Sequence, residues 1–519
     1  MNHVSRNAFK KIHPSIFRKN NASALSSLQH IGFGLIKGST HTIQKSYLSL
    51  EAVNTKMEFP CIERLESREQ ELSQKKDVSE ELYLDIVHGY EVFRHNKPFP
   101  LSHGGILPSI KIAYETWGTL NSDGSNAILL HTGLSASSHA KSHPKNTKPG
   151  WWEDFIGPGL SIDTNKYFVI CTNVIGGCYG STGPSSINEL TGKRYASSFP
   201  ILTVNDMVRA QFLLLDHLKI NKLHASVGSS MGGMQSLAAA SISPERVGRL
   251  VSISACALSH PYSIALRFAQ RQVLMTDPNF NRGHYYDSVP PHVGMKLARQ
   301  ISTVTYRSGP EWELRFGRSR SRPASTPALC PDFLVETYID HKSESFCLQY
   351  DANSLLYISK AMDMFDISKS NTDRLNSGLK MAMNKINHIE SGKKSSGTSV
   401  EDPLSSAYPL DLANIPENHD LKPEPTSSSA STQSQETREQ ITQDLIAGVS
   451  NIRMPTLVLG VQTDILFPST QQKEIASILR SSGNKQVTYY EIDSIYGHDT
   501  FLIDRVNVGA AIKGHLELQ

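Results

Sequence analysis

Cysteine is scarce in this sequence, and the few cysteines follow no recognisable pattern. There are 6 in 519 residues, at positions 61, 171, 178, 256, 330 and 347, and they form neither a C-x-x-C pair nor a cluster with histidines at metal-ligand spacing. A disulfide scaffold and a structural zinc module are therefore not expected, and buried single cysteines suit a reducing compartment. We expect no bound metal.

Long apolar runs and an excess of one charge are also missing. No stretch approaches the roughly 18 consecutive apolar residues that a membrane-spanning helix requires, so we expect no membrane association. The 52 Lys and Arg residues nearly balance the 49 Asp and Glu residues, which gives a net charge of +3. Such a balance gives no indication of a basic surface for nucleic acid, so we expect no nucleic-acid partner.

Acidic residues are absent from the first 50 positions. This segment is rich in Ser and Asn, and its basic residues are Arg6, Lys10, Lys11, Arg18, Lys19, Lys37 and Lys45. A basic, Ser-rich and acid-poor composition is typical of a mitochondrial transit peptide, and the apolar stretch is too broken for a secretory signal. We predict a transit peptide over residues 1–50 and a mitochondrial location; a basic tail without a targeting role is the alternative. Residues 51–81, where charges of both signs return, are expected to be a linker.

The sequence does contain a G-x-S-x-G pattern at residues 228–232, with Ser230 at its centre. The preceding residues 223–227 are predicted to form a short buried strand, and residues 231–240 a helix rich in small side chains. A nucleophile elbow is a tight turn between a strand and a helix. Its flanking glycines let the serine adopt a strained backbone conformation. The helix N-terminus offers a free amide where an oxyanion forms. The alternative is an ordinary Gly-rich turn with a buried serine.

A candidate acid and a candidate base follow in the C-terminal part of the chain. Asp464 comes after a predicted strand at 454–460, and His498 follows a predicted strand at 487–492. Alone, either residue would more often be a cap or a surface side chain. The order Ser230, Asp464, His498 is the α/β-hydrolase order of nucleophile, acid and base. His498 would take the proton of Ser230, while Asp464 would orient and stabilise the imidazole.

A second oxyanion donor is expected from the loop at 132–137, which follows a predicted strand at 127–131. In this fold the hole combines an amide of that loop with the amide after the nucleophile. We therefore predict that the backbone N–H groups of Leu134 and Met231 form the oxyanion hole.

The predicted fold class is α/β: an α/β-hydrolase fold with a doubly wound, mostly parallel sheet and a helical lid insertion. The core would comprise residues 82–260 and 441–519. Residues 261–375 have a helical pattern and would form a lid that keeps water from an acyl-enzyme. Residues 376–440, rich in Ser, Thr, Pro, Lys and Glu, cannot bury enough apolar area to offset their ordering entropy, so we predict a disordered insertion there.

Several longer strings resemble the homoserine/serine O-acyltransferases of the α/β-hydrolase superfamily. They are GGCYGSTGPSSIN at 176–188, FP at 199–200, DMVRAQ at 206–211, GSSMGGMQ at 228–235, QRQ at 270–272, DPNF at 277–280 and GHDTFL at 497–502. The resemblance implies transfer of an acyl group from coenzyme A to the side-chain hydroxyl of an amino acid, in cysteine or other sulfur amino-acid biosynthesis. It also implies that Ser230 is the residue that becomes acylated.

Two substrate-binding roles are implied in the same way. Arg271 would grip the carboxylate of the acceptor amino acid, a task that suits a guanidinium fork, and Asp499 would hold its amino group. Without the resemblance, Arg271 would be read as a surface arginine on a lid helix and Asp499 as a helix N-cap.

The predicted oxyanion loop departs from the homoserine-acting members of this family. They usually carry Leu-Thr-Gly where this chain has Leu134, Ser135 and Ala136. We expect these residues, with Gly133, to set acceptor specificity, because the methyl group of Ala136 narrows the pocket and favours L-serine, which is one methylene shorter than L-homoserine. One methylene is worth only about 1–3 kcal/mol in discrimination.

The expected partners are acyl-CoA, as a co-substrate and not a bound cofactor, and L-serine or L-homoserine as acceptor. The donor, acetyl-CoA or succinyl-CoA, stays open, and a homodimer is one possible assembly. The alternatives are a homoserine O-acetyltransferase of methionine biosynthesis, a serine hydrolase that shares the fold, and an inactive homologue that only binds partners.

Overall fold

Eight strands form one mostly parallel sheet at the centre of the computed structural model, which describes residues 67, 70–71, 87–324, 330–390 and 428–518. The predicted transit peptide at 1–50 lies outside the described residues. So does the predicted linker at 51–81, apart from residues 67 and 70–71.

The strands follow the order expected for the predicted fold. They are β1 (Glu91–His95), β2 (Ile110–Trp117), β3 (Ala127–His131), β4 (Phe168–Thr172), β5 (Ala225–Ser229), β6 (Leu250–Ile253), β7 (Thr456–Val461) and β8 (Val487–Ile492). Their spatial order is β1-β2-β4-β3-β5-β6-β7-β8. β2 pairs antiparallel with β1 and β4, and all the other neighbours pair parallel. Two small ribbons lie outside this sheet, Phe99–Pro100 with Ile106–Leu107 and Ile156–Gly157 with Ile162–Asp163. The predicted α/β-hydrolase fold class is confirmed.

Helices occupy most of the connections between the strands. In the described residues they are α1 (Val204–His217), α2 (Met231–Ile242), α3 (Pro261–Met275), α4 (His292–Tyr306), α5 (Gly309–Phe316), α6 (Leu334–Cys347), α7 (Ala352–Asp363), α8 (Lys369–Glu390), α9 (Ser428–Gly448), α10 (Ser469–Ser481), α11 (Thr500–Ile503) and α12 (Asn507–Leu516). Short 3-10 turns cover Ala196–Ser198, Pro244–Arg246, Pro278–Gly283 and Gly497–Asp499. Among the described residues, no helix is both long enough and apolar enough to cross a membrane.

Both faces of the sheet are covered, so its central strands are buried along their whole length. Every residue of β3, β5, β6 and β7 is buried. One face packs with α1, α2 and α10 in a large apolar cluster that includes Met207, Leu237 and Ile475. The other face packs with α12 through Val508 and Ile512.

The helices α3 to α7, called the lid below, are inserted between β6 and β7. α4 packs against both α3 and α6, and the contacts include the buried side chains of Leu274, Met295 and Ala298. The inserted chain returns beside its starting point, where Leu258 and Asp366 form an isolated antiparallel bridge. The lid therefore begins and ends at one place above the sheet.

The disordered insertion predicted over residues 376–440 is wrong at both ends. α8 continues to Glu390, and α9 already begins at Ser428. The two helices pack against each other, and Leu375 and Ala382 of α8, Leu445 of α9 and Val449 just after it are buried. Residues 391–427 lie outside the described residues.

Candidate active site

Ser230 occupies a strained turn between β5 and α2. Its backbone has φ +58° and ψ −125°, a conformation that L residues rarely adopt. A Cβ at position 228 would collide with the carbonyl oxygen of Gly232, and a Cβ at 232 would collide with that of His131. Both glycines are thus required by close backbone approach, and the turn projects Ser230 from the carboxyl end of β5.

Asp464 and His498 are hydrogen-bonded to each other. His498 Nδ1 lies 2.7 Å from Asp464 Oδ2. The other carboxylate oxygen, Oδ1, accepts the backbone N–H groups of Leu466 and Phe467, each at 2.9 Å. Because both carboxylate oxygens are occupied, Asp464 can turn little, and it fixes the plane and the protonated nitrogen of the imidazole.

His498 has the environment of a general base. Burial by itself lowers the pKa of His498, but the charge of Asp464, the hydrogen bond to it and the charge of Asp499 together raise that pKa above its ordinary value. The second ring nitrogen, Nε2, is buried and has no hydrogen-bond partner among the described residues. Ser230 and His498 line the same cavity, so Nε2 is the atom available to take the proton of Ser230 Oγ.

Of the two predicted oxyanion donors, Leu134 lies in the wall of that cavity, and Met231 directly follows Ser230, which also lines it. Met231 is the first residue of α2, so its N–H has no acceptor within the helix. Leu134 lines the cavity, and its carbonyl oxygen accepts the Tyr350 hydroxyl from the lid at 2.7 Å. With its carbonyl held by the lid, the peptide of Leu134 has a defined orientation.

A glutamine that the sequence analysis did not single out ties the oxyanion loop to the nucleophile helix. Gln235, on α2, donates from Nε2 to the carbonyl oxygen of Thr132 at 2.9 Å. Its Oε1 accepts Gln211 Nε2 of α1 at 2.9 Å. Both glutamines are buried. Each lay within a family-like string, GSSMGGMQ and DMVRAQ, but only the fold shows that they meet.

The cavity has a volume of about 330 Å³, which suits a small ligand. The predicted specificity residues Gly133, Leu134, Ser135 and Ala136 all line it. The lid contributes side chains from three helices: Arg267 and Gln270 of α3, Arg299, Thr305 and Tyr306 of α4, and Met362 of α7. The cavity therefore lies between the carboxyl ends of the strands and the lid.

The two predicted acceptor-binding residues differ in their placement. Asp499 lines the cavity, and its Oδ2 is 3.6 Å from Arg307 Nη2. Burial raises the pKa of Asp499 above its usual range, and Arg307 offsets this only in part. Arg271 is not among the residues that line the cavity, because its guanidinium turns to the carboxylate of Asp363 and to Ser359 Oγ. Its neighbour one turn earlier, Arg267, reaches the cavity wall.

Three potential metal ligands, Glu115, His139 and His143, also lie close together. Both histidines contact Glu115 Oε2, His139 through Nδ1 at 2.8 Å and His143 through Nε2 at 2.7 Å. The Lys145 N–H donates to His143 Nδ1 at 3.3 Å, which assigns the proton of that ring to Nε2, facing the carboxylate. Hydrogen bonds thus satisfy the cluster, which braces the chain after β3.

Comparison with known proteins agrees with this geometry. The family described as alpha/beta hydrolase fold matches residues 126–388. The serine O-succinyltransferase of Schizosaccharomyces pombe is 52% identical, over 93% of this chain and 100% of that protein. The serine O-succinyltransferase of Emericella nidulans is 51% identical, over 99% and 97%. That of Xanthomonas euvesicatoria pv. vesicatoria is 38% identical, over 81% and 96%.

Solved structures give the same fold. The homoserine O-acetyltransferase from Bacillus anthracis superposes with a TM-score of 0.63 at 25% identity, over 83% of this chain and 98% of that one. The esterase E22 superposes with a TM-score of 0.63 at 24% identity, over 82% and 99%, and this likeness concerns the fold alone.

Proposed function

Because the chain belongs to the serine O-succinyltransferase family of α/β-hydrolase-fold enzymes, we propose that it transfers a succinyl group from succinyl-CoA to the side-chain hydroxyl of L-serine. The observation that carries this proposal is the convergence of Ser230, His498 and Asp499 on one lid-covered cavity. A nucleophile, a base and an anionic site for an amino group are what an acyl transfer to an amino acid requires.

In the first half-reaction, Ser230 Oγ attacks the thioester carbonyl carbon, and His498 Nε2 takes the hydroxyl proton. The oxyanion that forms lies at the N–H groups of Leu134 and Met231. When the C–S bond breaks, the coenzyme A thiolate leaves with the proton returned by His498. The products are the acyl-enzyme on Ser230 and the free thiol.

In the second half-reaction, His498 Nε2 takes the proton of the acceptor hydroxyl, whose oxygen attacks the ester carbonyl on Ser230. The ester bond to Ser230 breaks, and Ser230 Oγ receives the proton back from His498. Asp499 is suited to hold the acceptor's ammonium group in line for this attack. The lid limits the access of water that would hydrolyse the ester instead.

We assign L-serine as the acceptor because the loop residues Ser135 and Ala136 both lie in the cavity wall. The test is a steady-state comparison of L-serine and L-homoserine, each with succinyl-CoA and acetyl-CoA, with products identified by mass spectrometry. We expect the highest kcat/KM for L-serine with succinyl-CoA. The double substitution Ser135→Thr and Ala136→Gly should shift the acceptor preference towards L-homoserine. Equal or better use of L-homoserine by the wild type would contradict the assignment.

A hydrolase would give a different result in the same assay. It would release free succinate from the thioester as fast without an amino acid as with one. An inactive homologue would form no acyl-enzyme at all. For the proposed transferase, intact-mass measurement should show a succinyl adduct after mixing with succinyl-CoA, and Ser230→Ala should remove it.

We also propose that residues 1–50 direct the protein to mitochondria, on the basis of their basic, acid-free composition. The full chain and a chain lacking these residues, each fused to a fluorescent protein, can be compared in yeast cells. Mitochondrial fluorescence that depends on residues 1–50 is the expected result. A diffuse signal from the full chain would reject the proposal.

A further inference from the structure

The oxyanion loop, residues 132–137, depends on contacts from outside itself for its rigidity. Its turn is closed by a hydrogen bond from the Ala136 N–H to the Gly133 carbonyl oxygen, and at 3.4 Å this bond is long. A Cβ added at Gly133 would meet no other atom within 4 Å, so neighbouring side chains do not confine that end of the turn. Leu134 and Ser135 are the two central residues, and the peptide between them is the unit whose orientation differs between the common turn types. Whatever holds that peptide therefore decides the shape of the loop.

Three carbonyl oxygens of the loop accept hydrogen bonds from side chains: Thr132 from Gln235 Nε2 at 2.9 Å, Leu134 from the Tyr350 hydroxyl at 2.7 Å, and Ser137 from Trp151 Nε1 at 2.8 Å. Gln235 belongs to α2 and Trp151 to the chain between β3 and β4, so both donors are part of the core around the sheet. Tyr350 lies between α6 and α7 and is part of the lid. The lid therefore holds the middle of the loop, at the predicted oxyanion donor, and the core holds its two ends.

The Tyr350 side chain is itself firmly placed. It is only 3% exposed, its ring stacks on that of Phe346 at 5.6 Å, and it meets the ring of Tyr179 edge-on at 5.7 Å. The next residue, Asp351, caps α7 and accepts the Tyr285 hydroxyl at 2.7 Å. Burial raises the pKa of the Tyr350 hydroxyl well above its ordinary value, so the group keeps its proton at neutral pH. Tyr350 is thus a fixed and permanent hydrogen-bond donor to the loop.

We propose that Tyr350 is a positioning residue that ties the oxyanion hole to the lid. Its hydroxyl holds the Leu134 carbonyl, which restrains the backbone torsions of Leu134 and keeps the N–H of that residue directed at the oxyanion. The hole is then complete only while the lid is in place, so Ser230 is activated only where water is limited. Tyr350 does not line the cavity, so it acts through the loop and not on a substrate. This inference rests on the proposed acyl transfer.

The test is Tyr350→Phe, which removes the hydroxyl and keeps the aromatic ring. The first half-reaction is followed as coenzyme A release from succinyl-CoA in a single turnover without any amino acid, and the second as loss of the acyl-enzyme mass after L-serine is added. Both pass through an oxyanion at the same two N–H groups, so we expect both rate constants to fall by a similar factor of about tenfold or more. Removal of an oxyanion donor itself costs more, about 10²–10³-fold. The substrate concentrations that give half the maximal rate should change by less than about threefold, since Tyr350 touches neither substrate.

Tyr357→Phe is the matched control. Tyr357, on α7, also donates its hydroxyl to a backbone carbonyl, that of Ser197 at 2.8 Å, and also meets an aromatic ring edge-on, that of Phe199 at 5.5 Å. Its substitution should leave both half-reactions unchanged. Hydrogen exchange then separates a released loop from a loosened lid: in Tyr350→Phe the amides of residues 132–137 should exchange faster, while those of α6 and α7 keep their protection. Circular dichroism of each variant shows whether the fold is retained.

Combination with Gln235→Leu tests whether Tyr350 acts through the loop. Gln235 holds the Thr132 carbonyl oxygen of the same loop, so in the double variant one change has already loosened what the other would release. The combined loss of acylation rate should therefore be smaller than the product of the two single losses. Gln235→Leu with Tyr357→Phe should lose no more than Gln235→Leu alone.

Three results would overturn the inference. Unchanged rates in Tyr350→Phe, or a loss confined to one half-reaction, would mean that the hydroxyl does not hold an oxyanion donor. A loss of rate with faster exchange in α6 and α7 would make Tyr350 a packing residue of the lid. Losses that multiply with that of Gln235→Leu would mean that the two residues do not act on one loop. In each case the wild type would still form O-succinylserine. A wild type that is not acylated by succinyl-CoA would instead show that the proposed function has failed, and the inference with it.

Discussion

Replacing Asp464 by Asn tests whether the hydrogen-bond pattern around the triad sets the protonation state of His498. Asp464 Oδ1 accepts two backbone N–H groups, from Leu466 and Phe467, each at 2.9 Å. Only an oxygen can stay at that position. The amide of Asp464→Asn must therefore turn its NH₂ group towards His498 Nδ1, which then has to accept. The imidazole proton moves to Nε2, and Nε2 can no longer take the proton of Ser230.

The expected loss is large although the shape of the side chain is unchanged. Holding the base of a serine triad in the wrong tautomer costs about 10⁴ in kcat. The pKa of His498 should fall as well, because the charge of Asp464 and the hydrogen bond to it oppose the lowering by burial. The assay is pre-steady-state release of coenzyme A from succinyl-CoA across a pH series, and a urea titration checks that the variant is folded.

A carboxylate that hydrogen-bonds to Asn507 outside the cavity gives the control. Asp504 accepts the backbone N–H of Asn507 at 3.0 Å at the start of α12 and does not line the cavity. Asp504→Asn should leave acylation unchanged. If Asp464→Asn kept a rate within about tenfold of the wild type, the tautomer argument would be refuted.

The remaining predictions concern the turn, the base and the oxyanion loop. Gly232→Ala places a Cβ against the His131 carbonyl oxygen, so overpacking should cost about 1–3 kcal/mol of stability in a urea titration. Acylation by the wild type should rise with pH through a pKa above about 6.5, since His498 must be neutral to act. Because that folded-state pKa is raised, the stability from the ion pair is complete below about 6.5 and is lost as pH rises through the raised value, which unfolding curves at several pH values check. Gln235→Leu removes the 2.9 Å bond to the Thr132 carbonyl and should lower kcat about tenfold or more without a matching rise in KM, as loosened oxyanion donors would.

The sequence was sufficient for the fold class because several strands of the sheet are short segments rich in apolar, aromatic or β-branched residues. The strand expected at 487–492 is β8, Val487–Ile492, and the one at 454–460 differs from β7 by only one or two residues. The motif around Ser230 could be recognised because its pattern is local, and Gly228 is required by the backbone of Gly232 within the same motif. The contact that requires Gly232, with the His131 carbonyl oxygen, comes from a distant strand. Asp464 and His498 could be named because each follows a strand, and parallel strands end at one edge of the sheet.

The polar composition of residues 376–440 led to the wrong prediction of disorder at both ends of that segment. α8 and α9 each need only a narrow apolar stripe to pack. Leu375 and Ala382 lie on α8, Leu445 lies on α9 and Val449 directly follows it, and all four are buried. Only Ala382 falls within 376–440, so most of the buried contacts lie just outside that segment. In sequence these residues are separated by long polar stretches. Their burial depends on the pairing of two helices whose described parts are separated by residues 391–427.

The sequence by itself determined the sheet, the strained turn and the order of nucleophile, acid and base, because each depends on local pattern or strand sequence. Tertiary structure alone decided which arginine meets the cavity. Arg271 belongs to a family-like string, yet its guanidinium is held by Asp363. Arg299 belongs to no motif, yet it lines the cavity beside Tyr306. Where a guanidinium group lies depends on side chains that come from distant helices, and no local sequence pattern encodes those contacts.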